Sequence, residues 1–300
     1  MKIVQSLWSK PGRIRKKADY ASFNKCGWPD RKYFYYSWAL SCLQFRKYYE
    51  EVELVTDKEG YELLIDKMQL PYTNVRVVLD DLKDYHPDLW ALGKIYAYQI
   101  QEKPFIHADA DIIIWDKFSQ DFEDSSLLCQ SKEEGDSFNR YYSSIFRPIV
   151  KCFSFYPGVL DRSIALNKAI KAVSMGIVGG HHLDFFAAYT RMAFEMVDRN
   201  VAHLPRIDIA GFNLIFEQFL FCALVEEKKE SMNFYYLPDD YIFNDLADYT
   251  SIPEKNSYFH PAGSDVKHLA GVVNVVEHYL LKDYPHYYFS INHLLRSHQI

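Results

Sequence analysis

The sequence predicts an α/β fold with a mixed, mainly parallel sheet flanked by helices. Two observations favour this class: strand-like and helix-like segments alternate through residues 1–115, and 49% of the chain is apolar, which is enough for a large core. Such alternation is typical of parallel strands joined by crossover helices. The chain shows no repeat and no low-complexity linker. We therefore expect a single domain over residues 1–300.

The first half supplies the most regular elements. Four apolar runs predict strands, at residues 2–8, 52–56, 75–79 and 105–115. Four apolar residues after the first strand recur at helical spacing and predict one buried helix face: Trp38, Cys42, Phe45 and Tyr49. Thr56 and Glu59 have the spacing of a capping box that opens the next helix. Asp88 is expected to cap a helix over residues 89–101.

The second half is less regular. The run AVSMGIVGG at 172–180 predicts a strand that ends in glycines, and residues 183–199 and 212–225 predict helices. Residues 116–157 are polar and aromatic without a clear period, and 237–244 is rich in turn formers.

Composition excludes several classes of protein. The net charge of −6 argues against a general nucleic-acid binder, which is usually basic. We find no run of 18 apolar residues, so we expect no membrane-spanning helix, although peripheral membrane contact stays open. The apolar part of the opening MKIVQSLWSKPGR is too short for a signal peptide, so we expect a cytoplasmic protein. The five cysteines form no CxxC pair and are expected to be reduced.

The triplet Asp109-Ala110-Asp111 is the sharpest chemical signal. It follows the apolar run FIHA, and residues i and i+2 of a strand point the same way, so the two carboxylates are expected to converge. Converging carboxylates repel each other, and a divalent cation relieves that repulsion. Mg²⁺ and Mn²⁺ prefer such oxygen ligands. The alternative is a pair of solvated loop acids.

Two glycine-containing segments add further candidates. In the late segment HLAG, His268 is a candidate third metal ligand, and Gly271 would let the backbone approach a phosphate. We expect the flanking His260 and His278 to lie outside the site. Gly179 and Gly180, at the exit of a predicted strand, would likewise allow a ligand to come close. The alternative for these two glycines is a tight turn.

These signals together resemble the GT-A class of nucleotide-sugar glycosyltransferases. Their order is similar to that of glycosyltransferase family 8, which includes glycogenin and the lipopolysaccharide galactosyltransferases. In that family a DxD triplet and a late HxxGxxK motif share the metal, and the late motif also touches the donor pyrophosphate. DAD matches the first motif, and HLAGVVN matches the second at His268 and Gly271. Asn274 stands where the family has its lysine.

The resemblance implies a metal-dependent transferase that moves a sugar from a nucleotide-diphosphate sugar to a glycan or another hydroxyl acceptor, with Mn²⁺ or Mg²⁺ bound. Residues 1–115 would bind the nucleotide, and residues 116–300 would bind the acceptor and complete the metal site. Gln5, Ser6 and Trp8 on the first strand are then candidates for contacts to the base and ribose. Lys94, on the helix before the DAD triplet, could meet a phosphate or pair with a carboxylate.

A basic cluster just after the first strand either holds a phosphate or is a solvated loop; it comprises Lys10, Arg13, Arg15, Lys16 and Lys17. The remaining acids near these segments are Asp184, Glu217, Asp239 and Asp240. Asp184 and Glu217 are candidate catalytic carboxylates, because an inverting enzyme needs one acid to deprotonate the acceptor. Glu217 lies in an apolar run, so it needs a partner or a raised pKa. The motif order favours retention.

Two other functions remain open. A phosphohydrolase of the haloacid dehalogenase type also begins its signature with DxD after an apolar strand, and Asp239-Asp240 could serve as its late acidic pair. That nucleophile normally lies on the first strand, whereas Asp109 follows three others. A non-catalytic carbohydrate-binding protein with a decayed transferase fold is the second alternative, and the intact DAD and HLAG segments argue against decay.

Overall fold

A computed structural model describes residues 1–14, 25–236, 252–254 and 256–300. The predicted turn-rich segment 237–244, with Asp239 and Asp240, lies outside the described residues, as do Arg15, Lys16 and Lys17.

The chain alternates strands and helices through its first half and adds a helical C-terminus. In chain order the strands are β1 (Lys2–Leu7), β2 (Val52–Thr56), β3 (Asn74–Val77), β4 (Phe105–Ala108), β5 (Ile113–Ile114), β6 (Leu127–Glu133), β7 (Ala172–Gly180), β8 (Met232–Phe234) and β9 (Tyr258–Phe259). The helices are α1 (Lys10–Ile14), α2 (Arg31–Tyr48), α3 (Lys58–Tyr61), α4 (Leu92–Gln99), α5 (Gln120–Glu123), α6 (Asp136–Cys152), α7 (Val159–Asn167), α8 (Leu183–Asp198), α9 (Ile209–Leu214), α10 (Leu220–Lys228), α11 (Ser264–Lys267), α12 (Ala270–Asp283) and α13 (Pro285–Arg296).

The strands form a seven-stranded sheet and a separate two-stranded ribbon. The order in the large sheet is β3-β2-β1-β4-β7-β6-β8, and the ribbon pairs β5 with β9. Pairing is parallel between β1 and β2, between β2 and β3, and between β6 and β8, whereas β7 runs antiparallel to β6. The predicted class, a mixed and mainly parallel sheet flanked by helices, is confirmed.

The chain divides into two compact units. The first contains Met1–Lys83, His107–Phe118 and Tyr241–Ile300, and the second contains Asp84–Ile106 and Ser119–Asp240. The C-terminal helices therefore belong with the first strands, and the division expected at residue 115 does not follow the boundaries of the units. The single domain expected over residues 1–300 stays a prediction.

The first unit is built around α2. The helix begins after Asp30, whose side chain accepts a hydrogen bond from the Lys32 amide. Its predicted apolar face is buried, with Trp38, Cys42, Phe45 and Tyr49 all below 5% exposure. The C-terminal helices α12 and α13 pack against it.

Two predicted helix caps are wrong. Thr56 ends β2, where its hydroxyl donates to the Leu7 carbonyl at 2.8 Å, and the following residue Asp57 caps α3 by accepting from the Gly60 amide at 2.8 Å. Asp88 does not cap α4, because that helix begins at Leu92 after Ala91. In both places the helix begins further along the chain than predicted.

Besides the short helix α5, the second unit contains two longer elements between residues 116 and 157 that were not predicted from the sequence. These are β6 and the amphipathic helix α6, whose buried residues Tyr142, Ile145, Phe146 and Ile149 do follow helical spacing. Exposed Phe138 and Tyr141 obscured that spacing, because they add aromatic residues to the polar face. The predicted strand 172–180 and the helix from 183 are confirmed as β7 and α8.

The continuous helical run Ile209–Lys228, which includes a π-helical turn at Ile215–Phe219, is long and apolar enough to cross a membrane. It is the one such helix in the described part of the chain, and 72% of its apolar window is buried inside the protein. Core helices also meet this criterion of length and composition, so the run is weak evidence for a membrane span.

Candidate metal centre

The DAD triplet lies in a turn directly after β4. The Ile112 amide donates to the Asp109 carbonyl at 3.0 Å and closes the turn. The Ser37 hydroxyl of α2 donates to the Ala110 carbonyl at 2.8 Å and fixes the turn from one side. The expectation that the triplet belongs to a strand is therefore wrong: Asp109 and Asp111 come together through the turn, not through strand alternation.

This turn follows the switch point of the large sheet. From β1 the chain builds β2 and β3 on one side and then returns to place β4 on the other side. Near the ends of β1 and β4, Ser6 Oγ and His107 Nε2 are hydrogen-bonded at 2.9 Å, so the two carboxyl ends lie side by side. Ligands of open α/β sheets bind outside the carboxyl ends of the strands at such a point.

The β5–β9 ribbon brings a histidine to the two aspartates. Its antiparallel register pairs Ile113 with Phe259 and Ile114 with Tyr258. The residue directly after β9 is His260, and the same register would place it opposite Ile112, beside the turn. His260 Nε2 lies 3.6 Å from Asp111 Oδ1, and one ligand atom each of Asp109, Asp111 and His260 lie within 4.8 Å of one another.

The histidine in this group is His260, not the predicted His268. His268 is exposed at the end of α11, and Gly271 lies in the first turn of α12. The sequence predicts His260 outside the site, whereas the structure places it beside Asp111. The missed signal is visible in the sequence, because His260 and Gly263 repeat the H-x-x-G spacing, and Lys267 follows four residues after that glycine.

Lys267 also reaches the site. Its Nζ lies 2.6 Å from Asp111 Oδ2 and donates to the Cys26 carbonyl at 3.1 Å. Gly263, at φ +84°, makes the turn between β9 and α11 in a conformation that residues with a Cβ rarely adopt. Sequence analysis placed no role on this lysine.

Burial and the neighbouring side chains act on the Asp111 carboxyl in opposite directions. Burial raises the pKa of the Asp111 carboxyl, but the Lys267 ammonium and His260 outweigh it and hold that pKa below its ordinary value. Burial lowers the pKa of Lys267, but Asp111 outweighs it, so the pKa of this ammonium is above its ordinary value. Asp111 is thus kept as a carboxylate.

Two carboxylates and one imidazole are a suitable donor set for Mn²⁺ or Mg²⁺. Bonds of about 2.1 Å put two ligand atoms of one Mg²⁺ ion at most about 4.2 Å apart. The spread of 4.8 Å among Asp109, Asp111 and His260 therefore needs only a small side-chain rotation to close on an ion. Exposed acidic groups often cluster without a metal, but these three are partly buried.

Gln5, one of the residues predicted to contact the nucleotide, contacts the turn that carries the two aspartates. Gln5 is fully buried; its Nε2 donates to Ser41 Oγ at 2.9 Å, and its Oε1 accepts from Tyr72 at 2.8 Å. The same amide lies 3.5 Å from the Asp109 carbonyl. Ser6 bonds His107, and Trp8 is 7% exposed. Direct nucleotide contacts by Gln5, Ser6 and Trp8 stay predictions.

Lys10 Nζ donates to the carbonyl of Lys83. A phosphate role for this lysine stays a prediction.

In the second unit, Lys94 and Glu217 form an ion pair. Lys94 Nζ lies 2.6 Å from Glu217 Oε1 and donates to the Met175 carbonyl at 3.1 Å. Glu217 is completely buried on the π-helical turn, and burial raises its pKa although Lys94 opposes that rise. The expected partner and raised pKa are both present, so the pair has a structural explanation. Asp184 is exposed in the first turn of α8.

Gly179 and Gly180 have a packing role. A Cβ on Gly179 would lie 2.0 Å from the Phe105 carbonyl oxygen, and a Cβ on Gly180 would lie 2.2 Å from the Ser126 carbonyl oxygen. Neighbouring backbone therefore requires both glycines, whether or not a ligand also approaches.

Comparison with known proteins gives a family but no activity. No curated protein matches the sequence. An active-site mutant of LgtC is similar in structure at 12% identity and a TM-score of 0.37, covering 72% of this chain and 70% of that one. At this level the likeness adds nothing to what the strand order shows. The family of unknown function DUF6734 matches residues 1–294, and the chain therefore belongs to that family.

Proposed function

We propose that the protein is a divalent-metal-dependent glycosyltransferase that uses a nucleotide-diphosphate sugar as donor and a glycan or another hydroxyl compound as acceptor. The observation that carries this proposal is the group of Asp109, Asp111 and His260 beyond the carboxyl ends of β1 and β4. A switch point suits a nucleotide, and the two carboxylates would repel a bare diphosphate. A cation between the carboxylates and the diphosphate is therefore needed for the diphosphate to bind.

In this proposal Asp109, Asp111 and His260 hold Mn²⁺ or Mg²⁺, which when bound neutralises the charge on the departing nucleoside diphosphate. Gln5 and Ser37 hold the backbone of the turn, through the Asp109 and Ala110 carbonyls, so that the carboxylates stay aimed. Lys267 supplies the ammonium that HLAGVVN lacks at Asn274. This residue set, with a late histidine, glycine and lysine, is similar to the pattern of glycosyltransferase family 8.

The stereochemistry we propose is retention. An inverting transferase needs a carboxylate that deprotonates the acceptor. Glu217 is fully buried and paired with Lys94, and Asp184 is itself exposed at the start of α8. Neither residue belongs to the three-residue group, which supports a mechanism that does not depend on such a base.

The experiment is a calorimetric titration of UDP, GDP and ADP into the protein with Mn²⁺ and, separately, with EDTA. We expect binding only with the metal present. The Asp111→Asn variant should lose about 10²-fold or more in metal-dependent affinity, by comparison with removal of groups that only support metal ligands. Its melting temperature, measured in parallel, should show a folded protein. Equal affinity with Mn²⁺ and with EDTA would remove the metal from the site.

Turnover assays separate the remaining alternatives. Release of nucleoside diphosphate from nucleotide sugars supports the transferase, and we expect retention of the anomeric configuration by NMR. Metal-dependent hydrolysis of p-nitrophenyl phosphate that Asp109→Asn abolishes would instead favour the phosphohydrolase. Donor binding without any turnover would favour the carbohydrate-binding protein.

A further inference from the structure

Lys267 competes with a metal ion for the same carboxylate. Its ammonium lies 2.6 Å from Asp111 Oδ2, while the other oxygen of that carboxylate faces His260 at 3.6 Å. The two oxygens of Asp111 therefore each face a side chain of the protein itself, an ammonium and an imidazole.

The ammonium is held in place by more than one contact. It donates to the Cys26 carbonyl at 3.1 Å and lies 5.4 Å from the centre of the Trp28 ring. The side chain of Lys267 is 13% exposed, so these contacts operate with little screening by water. Lysine nevertheless has a flexible four-carbon stem that can turn its charge towards another partner without backbone movement.

A divalent cation bound by Asp109, Asp111 and His260 would lie next to this ammonium, and the two positive charges would repel each other. A diphosphate bound to the same cation would bring negative oxygens to the site and give the ammonium a new partner. Lys267 would therefore weaken binding of the metal alone and strengthen binding of the metal together with the diphosphate.

We propose that Lys267 couples the two ligands, so that the divalent cation and the diphosphate bind cooperatively and neither binds well alone. This inference rests on the proposed metal and diphosphate site and adds the order of events at that site. Because coupling between two ligands is reciprocal, the diphosphate should raise metal affinity by the same factor as the metal raises diphosphate affinity.

The experiment measures Mn²⁺ affinity by calorimetry, first with chloride as the only anion and then with saturating inorganic pyrophosphate. In the wild-type protein we expect pyrophosphate to raise Mn²⁺ affinity strongly. In Lys267→Met, Mn²⁺ alone should bind about tenfold or more tightly than in the wild type, since a charge-assisted hydrogen bond no longer has to be broken. The gain produced by pyrophosphate should shrink by a similar factor.

Two further variants serve as controls. Lys267→Arg keeps the positive charge and should keep the coupling. This variant therefore distinguishes an effect of the charge from an effect of side-chain packing. Lys32→Met removes a lysine of the same unit whose partner is Glu277, and it should behave as wild type. Circular dichroism establishes that each variant is folded.

The outcomes distinguish the two ideas. If the wild type binds no Mn²⁺ with or without pyrophosphate, the proposed function and this inference both fail. If the wild type binds Mn²⁺ but Lys267→Met binds Mn²⁺ alone no more tightly, and pyrophosphate still helps it as much, only the coupling by Lys267 is overturned.

Discussion

Two lysine–carboxylate pairs in this chain have the same length and different surroundings. Lys267 Nζ lies 2.6 Å from Asp111 Oδ2 in the first unit, and Lys94 Nζ lies 2.6 Å from Glu217 Oε1 in the second. The Asp111 side chain keeps 15% of its exposure, whereas Glu217 has none. Asp111 has a histidine beside it as well as the lysine, while Glu217 has a second acid, Glu133, in its electrostatic neighbourhood.

These surroundings shift the pKa values of the two carboxyls in opposite directions. Burial is the largest influence on both, and it raises the pKa in each case. At Asp111 the effects of Lys267 and His260 outweigh burial and the pKa falls below its ordinary value, whereas at Glu217 burial outweighs Lys94 and the pKa rises. An ion-pair distance alone therefore does not identify a functional site. Asp111 stays charged and available to a cation, and Glu217 is part of the packed interior.

The largest effect we expect on stability comes from Lys94→Met. Breaking a buried ion pair leaves an uncompensated acid, which costs about 3–5 kcal/mol of the free energy of unfolding. Urea denaturation measures this loss. Replacing both partners in Lys94→Met/Glu217→Met should restore most of it, because an apolar pair of similar volume is often tolerated.

The matched control is Lys32→Met. Its pair with Glu277 has side chains that are 32% and 29% exposed, and we expect a loss of less than about 1 kcal/mol. If Lys94→Met were as mild as Lys32→Met, the contrast drawn between the buried pair and the more open ones would be lost.

A smaller effect is expected at Gly263, in the turn that delivers Lys267. A Cβ there would meet no atom within 4 Å, but φ is +84° and ψ is 156°, a region that is essentially reserved for glycine. We expect Gly263→Ala to lower the free energy of unfolding by about 1–3 kcal/mol through backbone strain alone. A neutral result in thermal or urea unfolding would show that the turn can relax without its glycine.

The smallest effect is a pH dependence at Glu133. Burial raises the pKa of Glu133 above 4.5, although a hydrogen bond from Tyr142 opposes the rise. A raised pKa in the folded state means that the wild type loses stability as pH rises from about 4.5 through that raised value. Glu133→Gln does not titrate, so its stability relative to wild type should increase over the same window and then stay constant. Urea denaturation at pH 4 and at pH 7.5 compares the two, and a difference that is independent of pH would contradict the assignment.

Much of the fold could be predicted because it depends on local patterns. The alternation of strands and helices predicted β1 to β4, and the apolar spacing of Trp38, Cys42 and Phe45 predicted the buried face of α2. Helix starts were less predictable, because Asp57 rather than Thr56 offers the cap. That choice depends on tertiary bonds, including the one from the Thr56 hydroxyl to the Leu7 carbonyl.

Only the two aspartates of the candidate site could be predicted, because the position of the histidine depends on tertiary contacts. Asp109 and Asp111 are only two residues apart in sequence, so their proximity is determined by local structure. His260 is brought to the site by the pairing of Ile113 with Phe259. The two paired strands have only two residues each, which is too short for a hydrophobic period to predict them. The sequence contains H-x-x-G at His268, where the metal ligand was predicted, and also at His260, where Lys267 follows four residues after the glycine.

The most direct test of the central claim compares His260→Ala with His268→Ala. Mn²⁺ affinity should be measured for both variants and the wild type by calorimetry in the presence of UDP. The account predicts that His260→Ala weakens Mn²⁺ binding at least about tenfold, the lower end of what even a supporting group contributes, while His268→Ala matches the wild type. Wild-type affinity in His260→Ala, or a loss confined to His268→Ala, would contradict the site of Asp109, Asp111 and His260.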